Sequence, residues 1–340
     1  MQTTEFALPM PRPARSRFRA WRTPVIVAAL LAGLPLVLSS YSADLVVRIM
    51  IYAIFALSLE LLVGTTGLVS LGHAGFFGIA AYVTVLASGD DAASIAWLLP
   101  AAMLCAGIYA LAVGALSLRT RGVYFIMVTL AFAQMAYFVF HDTPVGGGSD
   151  GIFLTMRPVW KLGETVLLDL ERGPHMYYFV LACLVAVYGF LALLLRSRFG
   201  HALAGIRVNE QRMRAAGYAT YLYKLAAFVI AAMLAGVAGF LMATKNGAVN
   251  PELLSWHESG GVLMMIILGG LGSLRGAVIG AVAFVLLKEF YASSAIFGAL
   301  AERWQLTLGL TMILFVALLP QGLIGIRRRF SAKRGEGHAK

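Results

Sequence analysis

The sequence predicts an all-α polytopic membrane protein, and three observations lead to this fold class. Hydrophobic residues make up 60% of the 340 residues and charged residues only 13%, too few for a polar exterior. Apolar runs follow one another from Thr23 to Ile326, and a helix that crosses a bilayer needs about 20 such residues. Glycine, proline and charged residues divide these runs at short intervals. Little of the chain remains for a soluble catalytic domain.

These breaks predict about ten transmembrane helices, each close to the length that a bilayer requires. The expected segments are 24–40, 45–64, 67–88, 93–117, 122–140, 176–195, 224–244, 260–274, 276–291 and 304–326. The third, eighth and ninth segments are short or interrupted by glycine, which is typical of broken or re-entrant helices. About eight spans would also place both termini on one side of the membrane.

The distribution of basic residues predicts that both termini are cytoplasmic, because Lys and Arg accumulate on that side. Most of the 27 Lys and Arg residues fall in 1–23, in 196–224, in 327–340 or in short turns on the same side. We therefore expect a basic N-terminal arm over 1–23, a transmembrane domain over 24–326 and a basic tail over 327–340. The net charge of +11 requires only the lipid bilayer as a partner, and no nucleic acid.

A long loop on the outer, periplasmic side is predicted over 141–175. It contains the glycine-rich run VGGGSDGI, and glycines permit the tight turns of an ordered loop. The residues leave two interpretations open: a structured plug over the outer mouth, or a contact with a soluble partner.

A second long loop is predicted over 196–224 on the cytoplasmic side. Residues 201–216 have the pattern of an amphipathic helix, and Gly217 suits its C-terminus. Three charged side chains at helical spacing support this helix: Arg207, Glu210 and Arg214. Such a helix lies at the membrane interface or docks a cytoplasmic protein, and the residues alone favour neither strongly.

The stretch from Leu57 to Ser88 interrupts an apolar run with glycine and polar residues. Lipid cannot satisfy irregular backbone, so such a stretch is buried by protein or lines a polar path. We therefore expect residues of a translocation path or gate here: Glu60, Gly67, Ser70, Gly72, His73 and Gly75. Snorkelling to the interface is the alternative for Glu60, and a packed, hydrogen-bonded role or a helix cap is the alternative for His73.

No catalytic or metal-binding motif is found in the sequence. A P-loop is absent, the His residues are far apart, and the two Cys residues lie within apolar runs. The chain is therefore expected to be a non-enzymatic transport subunit with no metal site and no cofactor of its own. Gly272, Gly276 and Gly280, spaced by four, predict a close approach between helices.

Five stretches stand in order along the chain. They are SLELLVGTTGLVSLGHAGFFGIAAYV (58–83), RTRGVYFIMVTLAF (119–132), GGSDGI (147–152), RSRFGHALAGIRVNE with AAGY and YKLAAFVIAAMLAGVAG (196–239), and LGGLGSLRGAVIGA (268–281). Together they resemble the permease subunits of ABC importers for branched-chain amino acids, of the LivM type. The resemblance extends over about residues 45–291.

The resemblance implies an architecture and a set of partners. The loop 196–224 would be the ATPase-coupling loop, with these residues in it: Gly200, Arg207, Asn209, Glu210 and Gly217. The implied partners are two cytoplasmic ABC ATPase subunits that use ATP, a second LivH-like permease and a periplasmic substrate-binding protein. The implied function is ATP-driven alternating access for branched-chain amino acids or related small polar solutes in the bacterial inner membrane.

Two other classes of function remain as alternatives. A gradient-driven carrier or channel for a small solute such as urea predicts transport without ATP and no need for residues 196–217. A membrane-embedded structural or assembly factor predicts no solute flux.

Overall fold

The computed structural model describes residues 26–36, 38–89, 93–162, 165–293, 297–319 and 321–325. The predicted basic arm and basic tail lie outside these residues. The described part of the chain is almost entirely helical, and the predicted all-α polytopic membrane fold is confirmed.

Most helices follow one another along the chain with short connections, and the long connection lies between Asp142 and Gly173. The helices are α1 (26–33), α2 (Ser40–Thr66), α3 (His73–Ser88), α4 (Ile95–Ser117), α5 (Val123–Asp142), α6 (Gly173–Leu194), α7 (Arg198–Val208), α8 (Glu210–Ala215), α9 (Thr220–Asn246), α10 (Trp256–Gly269), α11 (Leu274–Ala292) and α12 (Trp304–Leu318). The strands are β1 (Ile152–Phe153), β2 (Val159–Leu162), β3 (Thr165–Asp169) and β4 (Ala248–Val249). Strand β1 pairs with β4 and β2 with β3, both antiparallel.

Each of the ten predicted segments overlaps a helix in the described residues. Six helices there are long and apolar enough to cross a membrane alone: α2, α4, α5, α6, α9 and the stretch Ala301–Gly325 that contains α12. Helices α10 and α11 are bent by 115° at a short break and count as a seventh span if taken together. Helix α3 is only 16 residues long. The third, eighth and ninth segments, predicted to be short or interrupted, thus correspond to the short helix α3 and to the bent pair α10 and α11.

Helices α2 and α9 form the centre of the fold, and α3 packs against α9. In their apolar stretches 83% and 72% of the residues are buried, against 22% in α5 and 24% in the stretch containing α12. The central helices therefore hold the fold together, whereas α5 and α12 lie at its edge and present most of their surface outward.

Helix α10 begins at about half the depth of the membrane domain, as two contacts along α2 show. Asp44, near the end of α2 that the predicted orientation places outside, pairs with Lys245 at the end of α9 (2.9 Å). Tyr52, near the middle of α2, donates to Glu258 in the first turn of α10 (3.3 Å). Residues 247–255, which contain β4 and a single 3₁₀ turn over Pro251–Leu254, therefore descend from the outer end to mid-depth before α10 starts. The eighth predicted span, 260–274, is thus a half-length helix that starts earlier, at residue 256.

Helix α11 runs along almost the whole length of α2. At the inner end, Glu60 of α2 accepts a hydrogen bond from the N–H of Gly272, just before α11 (2.6 Å). At the outer end, the Tyr41 hydroxyl of α2 donates to Glu289, in the last turn of α11. Helices α10 and α11 therefore form a re-entrant hairpin of one half-length and one full-length arm.

Glycine permits the close packing within this hairpin. A Cβ at Gly280 would collide with the carbonyl oxygen of Met265, and one at Gly276 would collide with the carbonyl oxygen of Gly270. The predicted close approach is confirmed at these two glycines. It is wrong at Gly272, where a Cβ would meet open space and where the N–H serves as a hydrogen-bond donor to the end of α2.

We expect Gly280→Ala and Gly189→Ala to change stability in opposite directions. The first substitution forces α11 away from the backbone of α10 and should cost about 1–3 kcal/mol. The second adds a methyl group in open space within α6 and should stabilise the helix by up to about 1 kcal/mol. Thermal unfolding of the purified protein in detergent measures both. Equal effects at the two positions would contradict the packing described for the hairpin.

Candidate functional site

The inner end of α2 is the centre of the candidate site. The last six residues, Leu61–Thr66, form a π-helical turn that ends at Gly67, which has a φ of 76°. This left-handed conformation favours glycine and stops the helix. The last carbonyl groups of any helix lack partners within it, so other parts of the chain must supply donors.

Arg207 of α7 supplies one of these donors. Its guanidinium Nη1 donates to the carbonyl oxygen of Gly64 in the π-helical turn. The sequence predicted that Arg207 would pair with Glu210 on one helix face. This pairing is wrong for Arg207, because the side chain reaches the membrane domain instead. The cytoplasmic loop is thereby attached to α2.

Glu60 is buried and points to the α10–α11 turn. Its side chain and backbone together are only 2% exposed, and one carboxylate oxygen accepts the N–H of Gly272 (2.6 Å). The carboxylate occupies space where a Cβ on Gly64 would lie. Snorkelling of Glu60 to the interface is therefore not what the structure shows. The carboxylate instead caps the backbone before α11, and the positive charge of Arg207 lies near it.

The cytoplasmic loop contains two helices rather than the single predicted helix over 201–216. Asn209 interrupts the helical path with an extended backbone, φ −156° and ψ 99°. Its side-chain oxygen accepts the N–H of Arg212 at 2.9 Å and so caps α8. A capping side chain offers the backbone an alternative to the helical hydrogen bond, which is why the helix breaks here.

Glu210 attaches α8 to the start of α9. Its carboxylate accepts hydrogen bonds from Arg214 (2.6 Å), Lys224 (2.6 Å) and Thr220 (3.1 Å). Partial burial opposes ionisation of this group. The hydrogen bond and charge of Lys224, with the hydrogen bonds from Thr220 and Arg214, nevertheless hold the pKa of Glu210 below its usual value. The predicted pair of Glu210 with Arg214 is confirmed.

The two glycines predicted in the coupling loop lie at helix ends. Gly200 is in the first turn of α7, and its N–H donates to the N-cap hydroxyl of Ser197 (3.4 Å). Gly217 follows α8 with a φ of 87°, and its N–H donates to the carbonyl of Arg214 (2.9 Å). Gly217 therefore ends the helix as predicted, about one turn away from the Glu210 cluster.

His73, the first residue of α3, is fully buried. The Ser58 hydroxyl donates to the carbonyl of Phe55 (2.7 Å), so its oxygen accepts from His73 Nε2 (2.8 Å). This assigns the proton of the neutral ring to Nε2. The ring also stacks on Phe55 at 5.5 Å between centroids. These contacts are those of the packed, hydrogen-bonded histidine, and they hold α3 against α2.

The other residues predicted for a path or gate lie at the start of α3. The Ser70 hydroxyl accepts the N–H of Gly72 (3.3 Å), and a Cβ on Gly72 would collide with the carbonyl of Thr129 in α5. Gly75 faces Ala133 of α5, where a Cβ would make ordinary contact at 3.5 Å. These residues pack α3 against α5, whereas Glu60 and Gly67 belong to the separate cluster at the end of α2.

A cavity of about 670 Å³ opens beside this cluster. The segment after α2, the α4–α5 turn and the cytoplasmic loop surround it. Its charged lining is mostly basic: Arg119, Arg121, Arg207, Glu210, Arg214 and Lys224. The predicted coupling loop and the end of α2 thus share one polar space on the predicted cytoplasmic side.

The outer loop 141–175 is structured and attached to the membrane domain. Strand β1 of this loop pairs with β4, which directly follows α9, and Leu154 N–H donates to the carbonyl of Gly247 (2.8 Å). The hairpin of β2 and β3 completes it. The loop therefore lies beside the segment that descends towards α10.

The sequence prediction missed the polar start of α10, because the eighth span was expected to begin at residue 260. Trp256, His257 and Glu258 lie at mid-depth instead, and Ser259 accepts the N–H of Ala74 in α3 (2.8 Å). The sequence feature that marks this start is the polar run WHES (256–259), which the half-length helix α10 places inside the membrane domain. Ionisable residues at such a depth are rare and usually functional.

Known proteins with a similar sequence are membrane permeases, in agreement with the fold. The family described as "Branched-chain amino acid transport system / permease component" matches residues 41–317. The chain is 30% identical to LivM of Escherichia coli K12, a high-affinity branched-chain amino acid transport system permease protein. The alignment covers 89% of this chain and 75% of LivM. LivM of Salmonella typhimurium is 31% identical over 90% of the chain and 75% of the relative. LivH of E. coli K12, from a system of the same name, is 22% identical over 81% of the chain and 91% of the relative.

No solved structure matches the chain. The family match covers most of the transmembrane helices, and the two LivM relatives align with nearly all of the chain. The protein belongs to the family of permease components of branched-chain amino acid transport systems.

Proposed function

We propose that the chain is one permease subunit of a binding-protein-dependent ABC importer in the bacterial inner membrane. Its substrates are branched-chain amino acids or related small polar solutes, the class that the names of its relatives indicate. A second LivH-like permease completes the path, a periplasmic binding protein delivers the solute, and two cytoplasmic ABC ATPase subunits use ATP. The chain itself provides neither catalysis nor a cofactor.

One observation carries this proposal: the cytoplasmic loop is connected to a re-entrant hairpin through the end of α2. Arg207 of α7 holds the carbonyl of Gly64, and Glu60, one turn earlier, holds the N–H of Gly272. A displacement of α7 therefore pulls on both α2 and the α10–α11 turn. A loop that only rested on the membrane surface would need neither contact.

This connection supports alternating access. ATP shifts the balance between outward- and inward-facing states only if the ATPases bind one state better than the other. The loop 196–224 is the contact through which we propose that this preference reaches the membrane domain. The cluster of Glu210 with Lys224 makes α8 move with α9, one of the two central helices.

The proposal is tested by ATP-dependent uptake of radiolabelled leucine in proteoliposomes that contain this permease, its partner permease and both ATPases, with the binding protein added. Uptake driven by an ion gradient in the absence of ATP would instead support a carrier. No flux of any solute would support an assembly factor.

We expect Arg207→Glu to abolish uptake and to weaken association with the ATPases. The substitution places a carboxylate against the carbonyl of Gly64 and near Glu60, so the loop loses its attachment to α2. Gly217→Pro should have the same effect, because proline cannot adopt a φ of 87° and lacks the N–H bonded to Arg214. Co-purification of the ATPases and uptake in cells measure both changes.

Arg303→Glu is the control for these variants, since Arg303 is an exposed residue before α12, on the predicted outer side. Membrane insertion should be intact in all three proteins. Wild-type uptake by both Arg207→Glu and Gly217→Pro would overturn the assignment of the coupling loop.

Glu210→Gln should lower stability at neutral pH by on the order of 1 kcal/mol, because it removes a charge paired with Lys224. The pKa of Glu210 is lower in the folded protein than its ordinary value of 4.5. Its contribution is therefore complete above that value and is lost as the pH falls through the lowered pKa. Melting temperatures between about pH 7 and pH 3.5 should show the difference from wild type shrinking in acid. A melting-temperature difference between Glu210→Gln and wild type that does not change with pH would contradict this account. The same would follow if Glu171→Gln, at an exposed position in the predicted outer loop, lowered the melting temperature equally.

A further inference from the structure

One face of α10 is exposed at three positions and differs from the outward faces of α4 and α12. Trp256 is 46% exposed, Met264 is 44% exposed, and His257 is exposed beside Trp256. Gly260 lies on the same face, one turn from His257. Neighbouring residues of the described chain leave this face uncovered, although the opposite face of α10 packs against α2 and α11.

This face lies at a depth where lipid is an unfavourable neighbour. The first turn of α10 is at the level of Tyr52, near the middle of the 27-residue helix α2. His257 and the last residues before α10 therefore lie well inside the membrane domain. Polar side chains and irregular backbone at that depth require protein or a water-filled cavity beside them.

The outward faces of α4 and α12 have the composition that lipid requires. Their large exposed side chains near mid-helix are aliphatic: Leu104, Ile108 and Leu111 of α4, and Leu310, Ile313 and Leu314 of α12. The exposed start of α10 carries an imidazole and an indole instead. The contrast within one molecule indicates that the α10 face meets something other than lipid.

The same face offers room for another backbone. A Cβ at Gly260 or Gly261 would meet no atom of the chain within 4 Å. Small residues on an uncovered helix face allow a second helix to approach closely in a membrane. Helix α5, which contacts α10, adds the exposed side chains of Met127 and Met135. Methionine adapts its shape to its neighbour, which suits a contact that rearranges during transport.

The similarity of this chain to both LivM and LivH indicates which partner has a surface that matches the exposed face of α10. In E. coli, LivM and LivH are two different permease proteins of systems that carry the same name, and this chain resembles both. A homologous permease has an equivalent face to place against this one, so that two uncovered faces bury each other. A periplasmic or cytoplasmic protein has no access to this depth.

We propose that the face of α10 with Trp256, His257, Gly260 and Met264, together with the adjoining face of α5, is the surface on which the second permease packs. The solute path runs along this contact and passes Trp256 and His257. The inference rests on the proposed function and adds to it the face that the partner occupies and the residues that the solute passes.

The first test replaces Gly260 with tryptophan and measures co-purification of a co-expressed LivH-like permease. The bulky side chain fits the isolated chain but separates the two permeases, so the recovered partner should fall roughly tenfold, the effect of about 1.4 kcal/mol. Gly189→Trp is the matched control, since Gly189 of α6 also meets open space. The isolated variants should melt at the same temperature.

The possible outcomes separate this inference from the proposed function. Wild-type chain that recovers no second permease would overturn the proposed function. Equal recovery with wild type, Gly260→Trp and Gly189→Trp would overturn the assignment of this face alone. Recovery of a differently tagged second copy of this chain, in place of the LivH-like permease, would overturn the choice of partner.

The second test measures whether water reaches the contact. In a background with Cys105→Ala and Cys183→Ala, a charged, membrane-impermeant methanethiosulfonate should modify His257→Cys within the assembled complex and block uptake. Ile108→Cys, on the aliphatic face of α4, is the control and should not react. An unreactive His257→Cys, in the presence and absence of ATP, would exclude a solute path along this face.

Discussion

Lipid offers no hydrogen bonds, so every interruption of a helix within a membrane must be satisfied by the protein itself. This chain interrupts its helices at the end of α2, at the start of α3 and at the start of α10. In the first two places a group distant in sequence supplies a partner for the backbone: Arg207 for the carbonyl of Gly64 and Ser259 for the N–H of Ala74. At the third, Tyr52 supplies a partner for the side-chain carboxylate of Glu258. These three contacts link elements that are far apart in the sequence.

The same contacts connect parts of the chain that are far apart in the sequence. Arg207 binds the carbonyl of Gly64 within the π-helical turn, and Glu60, just before this turn, binds the N–H of Gly272. The loop 196–224 and the α10–α11 turn therefore both contact the same end of α2. π-Helical turns are rare and frequently occur at functional positions, which agrees with the location of this turn where the two contacts meet.

Features set by local composition were predictable from the sequence. The apolar runs define the helices, and the glycines after Glu60 indicate the break between α2 and α3. Gly217 ends a helix because few other residues adopt its backbone conformation. Each of these depends on residues close together in the chain.

Features set by distant partners were not predictable in this way. Arg207 has Glu210 at a favourable helical spacing, and only the folded chain shows that Gly64 is its partner. Asn209 breaks the loop helix because a capping geometry outweighs the amphipathic pattern around it. The run WHES has the polar composition of a loop, and no local rule states that Tyr52 and Ala74 will receive it inside the membrane domain.

The half-length of α10 has a consequence for how the protein is made. A helix of 14 residues is too short to cross the hydrocarbon core, so it is not a stable insertion unit by itself. The groups that receive it, on α2 and α3, stand earlier in the chain and are therefore synthesised first. Biogenesis of this region therefore depends on the order of translation, with the N-terminal half serving as a template for a C-terminal segment that has no independent place in the membrane.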